Sequence, residues 1–276
     1  MVEAGASYLA DLVGRIVDRI AGFVPVVLGL GCEAPHVEPS VPAPIAAVVE
    51  QRSIEKHSEE PKPIGKFDIT FYYVIGEDEV VLPRRKPAND ERELAAVAPT
   101  PTVTLYEPKS CQAIADVSTE FASQLELQGT GKLHDGRVLN IWGGCSCAHK
   151  PCFKVTDTRW GTAGSGRPLQ PFRTVAVDRR IVKLGTLLYV PLLEGRTMPG
   201  RAPWGGFVHD GCVVADDTGS GINGKQLDLF VGRKGWYLGM SGSAGSHAWA
   251  RHVPVYDGSK ICERKGRKIV KKVAAS

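Results

Sequence analysis

A mainly β fold, closed as a barrel with one accessory helix and long loops, is what this sequence predicts. Three observations lead there. Seven short apolar runs stand between turn signals. Only one segment in the body of the chain keeps helical spacing over several turns. The 31 Gly and 19 Pro among 276 residues favour turns over long helices, while 43% apolar content is enough for one substantial core.

In chain order, residues 1–32 come first. The apolar run Ile20–Gly31 is about 12 residues, too short to span a bilayer but suited to the core of an export signal. Arg15 and Arg19 precede it, and Leu30-Gly31-Cys32 resembles a bacterial lipoprotein cleavage site. Cys32 is therefore a lipidation candidate, and the N-terminus a candidate membrane anchor. An amphipathic helix is the competing expectation, because Leu9, Leu12, Val13, Ile16, Val17 and Ile20 keep helical spacing. Residues 33–62, rich in Pro, Glu, Val and Ala, read as an extended tether. The folded domain is expected over 63–262.

Its first strand is Gly65–Ile75, dense in aromatic and β-branched residues. Residues 76–108, charged and Pro-rich, read as a surface insertion. The helix is expected over Ser110–Leu127, with Cys111, Ile114, Val117, Phe121 and Leu125 on one face, Ser110 capping and Gly129 stopping it. Six further strands follow at Arg137–Trp142, Phe172–Asp178, Thr186–Leu193, Cys212–Ala215, Gln226–Val231 and Arg251–Tyr256. Residues 263–276 read as a basic, flexible tail.

The net charge of +4 resides in that tail. Seven basic residues against one acid after Ser259 leave the rest of the chain slightly acidic, so the body gives no support to nucleic-acid binding. Of seven cysteines, Cys32 stands apart. The other six, Cys111, Cys145, Cys147, Cys152, Cys212 and Cys262, suit three disulfides, with 15 connectivities open. An even set agrees with export to an oxidising compartment. Cys145, Cys147, His149 and Cys152 are also a conceivable zinc set, but their spacing is tighter than usual and disulfides are favoured. His209, His247 and His252 show no metal spacing.

The chemistry concentrates between Phe172 and Phe230. Asp178 ends one apolar strand, Asp216 and Asp217 end another, and Asp228 sits inside Gln226-Leu-Asp-Leu-Phe230. Strand alternation turns Asp228 away from Leu227 and Leu229. If that face lines a cleft, burial and a neighbouring carboxylate both raise its pKa, as a general acid requires. Asp178 and Asp217 can equally be turn residues that cap nearby amides.

Two familiar patterns overlap here. Asp217-Thr-Gly-Ser220 matches the aspartic-protease turn, but no second copy exists to share a proton. Gly219–Lys225 matches most of a phosphate loop, but Gln226 lacks the metal-binding hydroxyl and a strand follows instead of a helix.

Ala215-Asp-Asp217-Thr-Gly219, Gly224-Lys-Gln-Leu-Asp228-Leu-Phe230, and Val175-Ala-Val-Asp178 followed by Ile181–Thr186 together resemble the three-aspartate domain. That domain occurs in membrane-bound lytic transglycosylase A and in stationary-phase muralytic proteins. Thr70-Phe-Tyr72 is similar to a Thr-x-Tyr segment that this family places beside its cleft. Ser220 departs from a usual second Gly, and the loop Glu194–Gly206 is long.

The resemblance implies a double-psi β-barrel. It makes Asp228 the catalytic acid, with Asp217 beside it and Asp178 completing the trio. Thr70, Tyr72, Thr218 and Gly219 become substrate-binding candidates, and Trp204, in its Pro/Gly loop, a candidate for stacking on a sugar. The implied partner is the peptidoglycan glycan strand, in the cell envelope or outside the cell. The implied reaction is cleavage of the MurNAc–GlcNAc β-1,4 bond with formation of 1,6-anhydro-MurNAc, a reaction that needs no metal or cofactor. A glycan-binding module without catalysis is the alternative, and ordinary hydrolysis through two carboxylates is a third reading.

Overall fold

The computed structural model describes residues 60–80, 100–241 and 248–273. They fall in the second of two compact units, His57–Ser276. The N-terminal segment with Cys32, and nearly all of the tether expected over 33–62, lie outside the described residues. Among those described, no helix is long and apolar enough to cross a membrane.

The described chain is mainly β. In order it forms β1 (Pro63–Gly76), β2 (Thr102–Tyr106), β3 (Ala113–Ser118), α1 (Thr119–Gln128), β4 (Thr130–Lys132), β5 (Val138–Trp142) and β6 (Cys152–Thr156). Then come β7 (Thr174–Val177), β8 (Leu187–Tyr189), β9 (Cys212–Asp217), β10 (Gln226–Arg233), α2 (Lys234–Met240), β11 (Val253–Asp257), β12 (Cys262–Lys265) and β13 (Lys268–Lys271).

Six strands close on themselves in the order β1, β10, β7, β9, β8, β11 and back to β1. The β1–β10 and β7–β9 pairs are parallel and the other four are antiparallel. Beyond the ring, β1 continues into β4, β5 and β6.

Alternation sorts the side chains. Phe67, Ile69, Phe71, Tyr73 and Ile75 of β1 join Leu227, Leu229 and Val231 of β10 in the main core. Tyr72, Val74, Ala176 and Phe230 face the other way and pack with Trp160, Ala163 and Leu169. Burying one face of each strand against a shared core makes register strict, because a one-residue slip would expose the whole set.

The helix is shorter than its spacing predicts. Ala113–Ser118 pairs antiparallel with β2, and α1 starts at Thr119. Cys111 holds a left-handed φ of 53°, which no helix can contain. Glu107 folds that turn by accepting from the Ser110 amide and hydroxyl. Ser118, not Ser110, is the cap: its Oγ accepts from the Phe121 amide at 3.1 Å. Gly129 ends the helix as expected, at φ 73°. Ser118→Ala should therefore cost about 1 kcal/mol, seen as a lower urea midpoint with an unchanged m-value.

The tail reading is corrected too. Cys262–Lys265 and Lys268–Lys271 form a hairpin that continues the fold past residue 262. Ile269 is buried, and with Cys262 it packs on Cys212 and Val214 of β9. Arg264 pairs with the buried Asp216 at 2.9 Å, and Lys271 with Glu194 at 2.5 Å. Charge density reads as solvation, but here a few anchors outweigh it. The segment expected as an insertion likewise holds β2.

All six body cysteines are joined, as Cys111–Cys147, Cys145–Cys152 and Cys212–Cys262. The sulfurs of Cys145, Cys147 and Cys152 lie within 4.8 Å of one another because two of these bridges are adjacent. Their lone pairs belong to disulfide sulfurs rather than to thiolates, the form that binds metal.

Candidate active site

Asp228 lies on the face opposite Leu227 and Leu229, as alternation requires. Across the strands it pairs with Ala176 of β7 on one side and Thr70 of β1 on the other. Ala176 in turn pairs with Asp217 of β9. Asp217, Ala176, Asp228 and Thr70 thus make one row over four neighbouring strands. Two strand spacings, about 10 Å of backbone, separate the two aspartates, with only a methyl group between them.

Asp217 reaches that row through an irregularity. Thr174 pairs with Val214, yet Ala176 pairs with Asp217 rather than Asp216, so β9 carries one extra residue. In regular register Asp217 would share the core-facing phase of Val213 and Ala215. The bulge turns it to the Asp228 face.

The hydrogen bonds are specific. The Thr70 hydroxyl donates to Asp228 Oδ1 at 2.7 Å and accepts from Gln226 Nε2 at 3.1 Å. The Tyr72 hydroxyl donates to Asp217 Oδ2 at 2.5 Å, and the Gly164 amide donates to Oδ1 at 2.7 Å. The Thr218 amide supports the same carboxylate. Gly164 has no room for a side chain, since a Cβ there would stand 2.5 Å from the Thr218 methyl.

Burial pushes the Asp228 carboxyl up to about 6; the Thr70 hydroxyl opposes this and the Asp217 charge adds to it. Burial also raises Asp217, against the bonds from Tyr72, Gly164 and Thr218. The Tyr72 phenol is raised well above its usual value by burial and then by Asp217. It remains a donor at every physiological pH.

Asp178 behaves differently. Arg180 grips both of its oxygens, and the Gly224 amide donates to Oδ2 at 2.9 Å. Arg180 first, then that amide, hold the carboxyl far below its usual range. Arg180 also reaches Asn223 at 3.3 Å. Asp178 thus fastens the Gly219–Gly224 loop, and neither Asp217 nor Asp228 is among its partners. Gly219 and Ser220 are exposed. Ser220 is not among the residues with a left-handed φ, so the turn has no need of glycine there.

Trp204 is partly buried, edge-on to Trp160 with centroids 6.0 Å apart. It joins the aromatic cluster of Tyr72 and Phe230 and makes no hydrogen bond to the carboxylates. His209 is buried between Phe172 and Gly211, and burial lowers its imidazole to about 4, so it is a neutral packing residue.

Sequence reasoning missed Gly164 and Gln226. The loop 161–167 is rich in Gly, but an amide donor leaves no side-chain signature. In the sequence Gln226 stands out only as the residue found where a phosphate loop would carry a hydroxyl.

A ring of β strands presenting two half-buried carboxyls of raised pKa, from β9 and β10 on either side of β7, defines a class of acid-bearing β domain. Residues 173–247 match the family model of the 3D domain, and the chain contains such a domain there. No curated protein matches the chain. Among solved structures, it is similar to MltA from E. coli with bound chitohexaose, at 16% identity and TM-score 0.41 over 70% of this chain and 71% of that one. A membrane-bound lytic murein transglycosylase from Agrobacterium tumefaciens matches at 14% identity and TM-score 0.38, covering 69% and 73% of the two chains. The lytic transglycosylase LtgG of Burkholderia pseudomallei matches at 17% and 0.31, covering 69% and 72%.

Proposed function

We propose that this chain is a peptidoglycan lytic transglycosylase built on a double-psi β-barrel, with Asp228 as acid and then base. The observation that carries the reading is a carboxyl raised to about 6, held by Thr70 and facing Asp217 across a single alanine. Such a group is protonated in an appreciable fraction of molecules near neutrality, unlike an ordinary aspartate.

Asp228 protonates the oxygen between MurNAc and GlcNAc, and the C1–O bond breaks to leave an oxocarbenium-like muramyl unit. The resulting carboxylate takes the proton from the muramyl O6, which bonds to C1 and closes the 1,6-anhydro ring. The proton lost in the first step returns in the second, so no water enters. Asp217, fixed by Tyr72 and Gly164, adds charge beside the acid and steadies the developing cation. Asp178 is a positioning residue: it keeps the loop after Asp217 in place. Thr218 and Gly219 border the carboxylates and are proposed to touch the sugar backbone.

We further infer that the folded domain runs from Pro63 through Lys271. Three disulfides support work in an oxidising compartment, hence the cell envelope or the exterior. Lipidation at Cys32 remains part of this proposal.

Mass spectrometry of digested sacculi tests the reading. Anhydro-muropeptides are the expected product. Reducing muramyl ends would replace it with hydrolysis, and binding without soluble fragments would replace it with a glycan-binding module.

The pH profile gives a second check. The acid must be protonated, so kcat should fall about tenfold per unit as pH rises above about 6. Thr70→Val removes a bond that favours the ionised form. The falling limb should then move to higher pH, and a shift to lower pH would contradict the assigned role of Thr70.

A further inference from the structure

Beyond the carboxylates, on the same face, three tryptophans meet three arginines. Trp160 is buried and packs on Phe230 at 6.3 Å, Trp204 at 6.0 Å and Trp236 at 5.7 Å. With Arg159, Arg201 and Arg233, the three indoles line a concavity of about 530 Å³ that has no acidic residue in its wall. Arg137, Arg173, Arg180 and Arg264 each meet an aspartate. Among the described residues, Arg159, Arg201 and Arg233 make no ion pair with a carboxylate, though Arg159 and Arg233 also line a neighbouring hollow with Asp78 and Glu79. Arg159 lies 5.4 Å over the Trp160 ring, and Arg233 lies 5.6 and 5.7 Å over Trp160 and Trp236.

Ring faces orient guanidinium groups but leave their forks unfilled. Three like charges around one hollow repel one another, and an anion shared among them relieves that. A planar carboxylate fits the guanidinium fork, and the indoles offer apolar surface to the body that carries it. The pocket also lies in line with the acid. β10 bears Asp228, then Phe230, whose ring meets Trp160, and then Arg233. Asp228 and Arg233 are about 16 Å apart along the strand, a span of several sugar units.

We propose that this pocket is a subsite for the acidic substituent of the substrate: the carboxylates of a peptide on a muramyl residue some sugars from the scissile bond. The assignment rests on the proposed transglycosylase reading. It makes the substrate class peptide-bearing rather than bare glycan.

The test uses the full chain carrying Asp228→Asn, so that ligands survive, with tryptophan fluorescence as the readout. Three probes of equal sugar length are titrated: chitohexaose, a peptide-bearing muropeptide, and that muropeptide with its carboxylates amidated. The acidic probe should bind about tenfold tighter than the other two. Adding Arg159→Ala and Arg201→Ala, both at exposed positions, should erase that preference and leave chitohexaose binding unchanged. Equal binding of the acidic and amidated probes would overturn the proposal. So would equal weakening of all three by the double substitution, or a polyol-phosphate chain competing as strongly as the acidic probe. Release of anhydro-muropeptides by the unsubstituted protein is scored separately. If no such products form while the acidic preference persists, the catalytic reading falls and the carboxylate pocket stands.

Discussion

Asp228→Asn is expected to cut release of soluble muropeptides by about 10²–10⁴-fold, the usual worth of a general acid. Asn keeps the shape and can still accept from the Thr70 hydroxyl, so the ring should close as before. A second consequence separates chemistry from folding. The Asp228 carboxyl is raised from 3.8 to about 6 in the folded chain, so between those values the folded state holds more protons than the unfolded one. Stability then falls as pH rises through that window. The strain is fully present above about pH 6 and absent below the unfolded value. The neutral variant escapes it and should be more stable than the parent at pH 7 by about 1–3 kcal/mol, with the gap closing toward pH 4. Thermal melts at both pH values would show this. A variant that is inactive but less stable at pH 7 would mark Asp228 as a structural residue.

Arg264→Ala should produce the largest loss of stability among the ion pairs. Asp216 is 1% exposed, and Arg264 donates to its Oδ2 at 2.9 Å. Among the described residues, Oδ1 of Asp216 has no hydrogen-bond partner. Removing the guanidinium strands a buried charge, which costs about 3–5 kcal/mol. The companion Asp216→Asn in the Arg264→Ala background should restore much of it, because no buried charge then remains. Chemical denaturation with the disulfides intact is the appropriate measurement. An effect below about 1 kcal/mol would put Arg264 with ordinary surface pairs.

How much could be read beforehand follows from where each signal lives. The Asp228 face was legible because Leu227 and Leu229 flank it in a simple period of two. Gly129 was legible as a stop because few other residues accept its φ of 73°. The strands β5, β7, β9, β10 and β11 were found within a few residues, each an apolar run between turns. The orientation of Asp217 was not legible: one inserted residue reverses its face, and neither Asp216 nor Asp217 announces which of them is extra. The helix start failed because Val117 and Phe121 suit both periods, and only the turn at Cys111 decides. The hairpin at 262–271 hid behind its lysines, since Ile269 alone cannot outweigh them in a composition count. Its anchors, Cys212 and Asp216, lie about fifty residues away. Asp178, grouped with the other two aspartates by resemblance, is set apart by Arg180, a neighbour whose role no spacing rule assigns.

The parallel seam between β1 and β10 joins Thr70 to Asp228 across 158 positions of chain. Contacts this distant form late, because a long stretch of polypeptide must be ordered before they are rewarded. Asp228 and the Thr70 hydroxyl that donates to it are therefore expected to meet only after the intervening chain is ordered. A chain clipped so that it lacks β1 would keep Asp228 without its Thr70 partner, as a solvated aspartate of ordinary acidity.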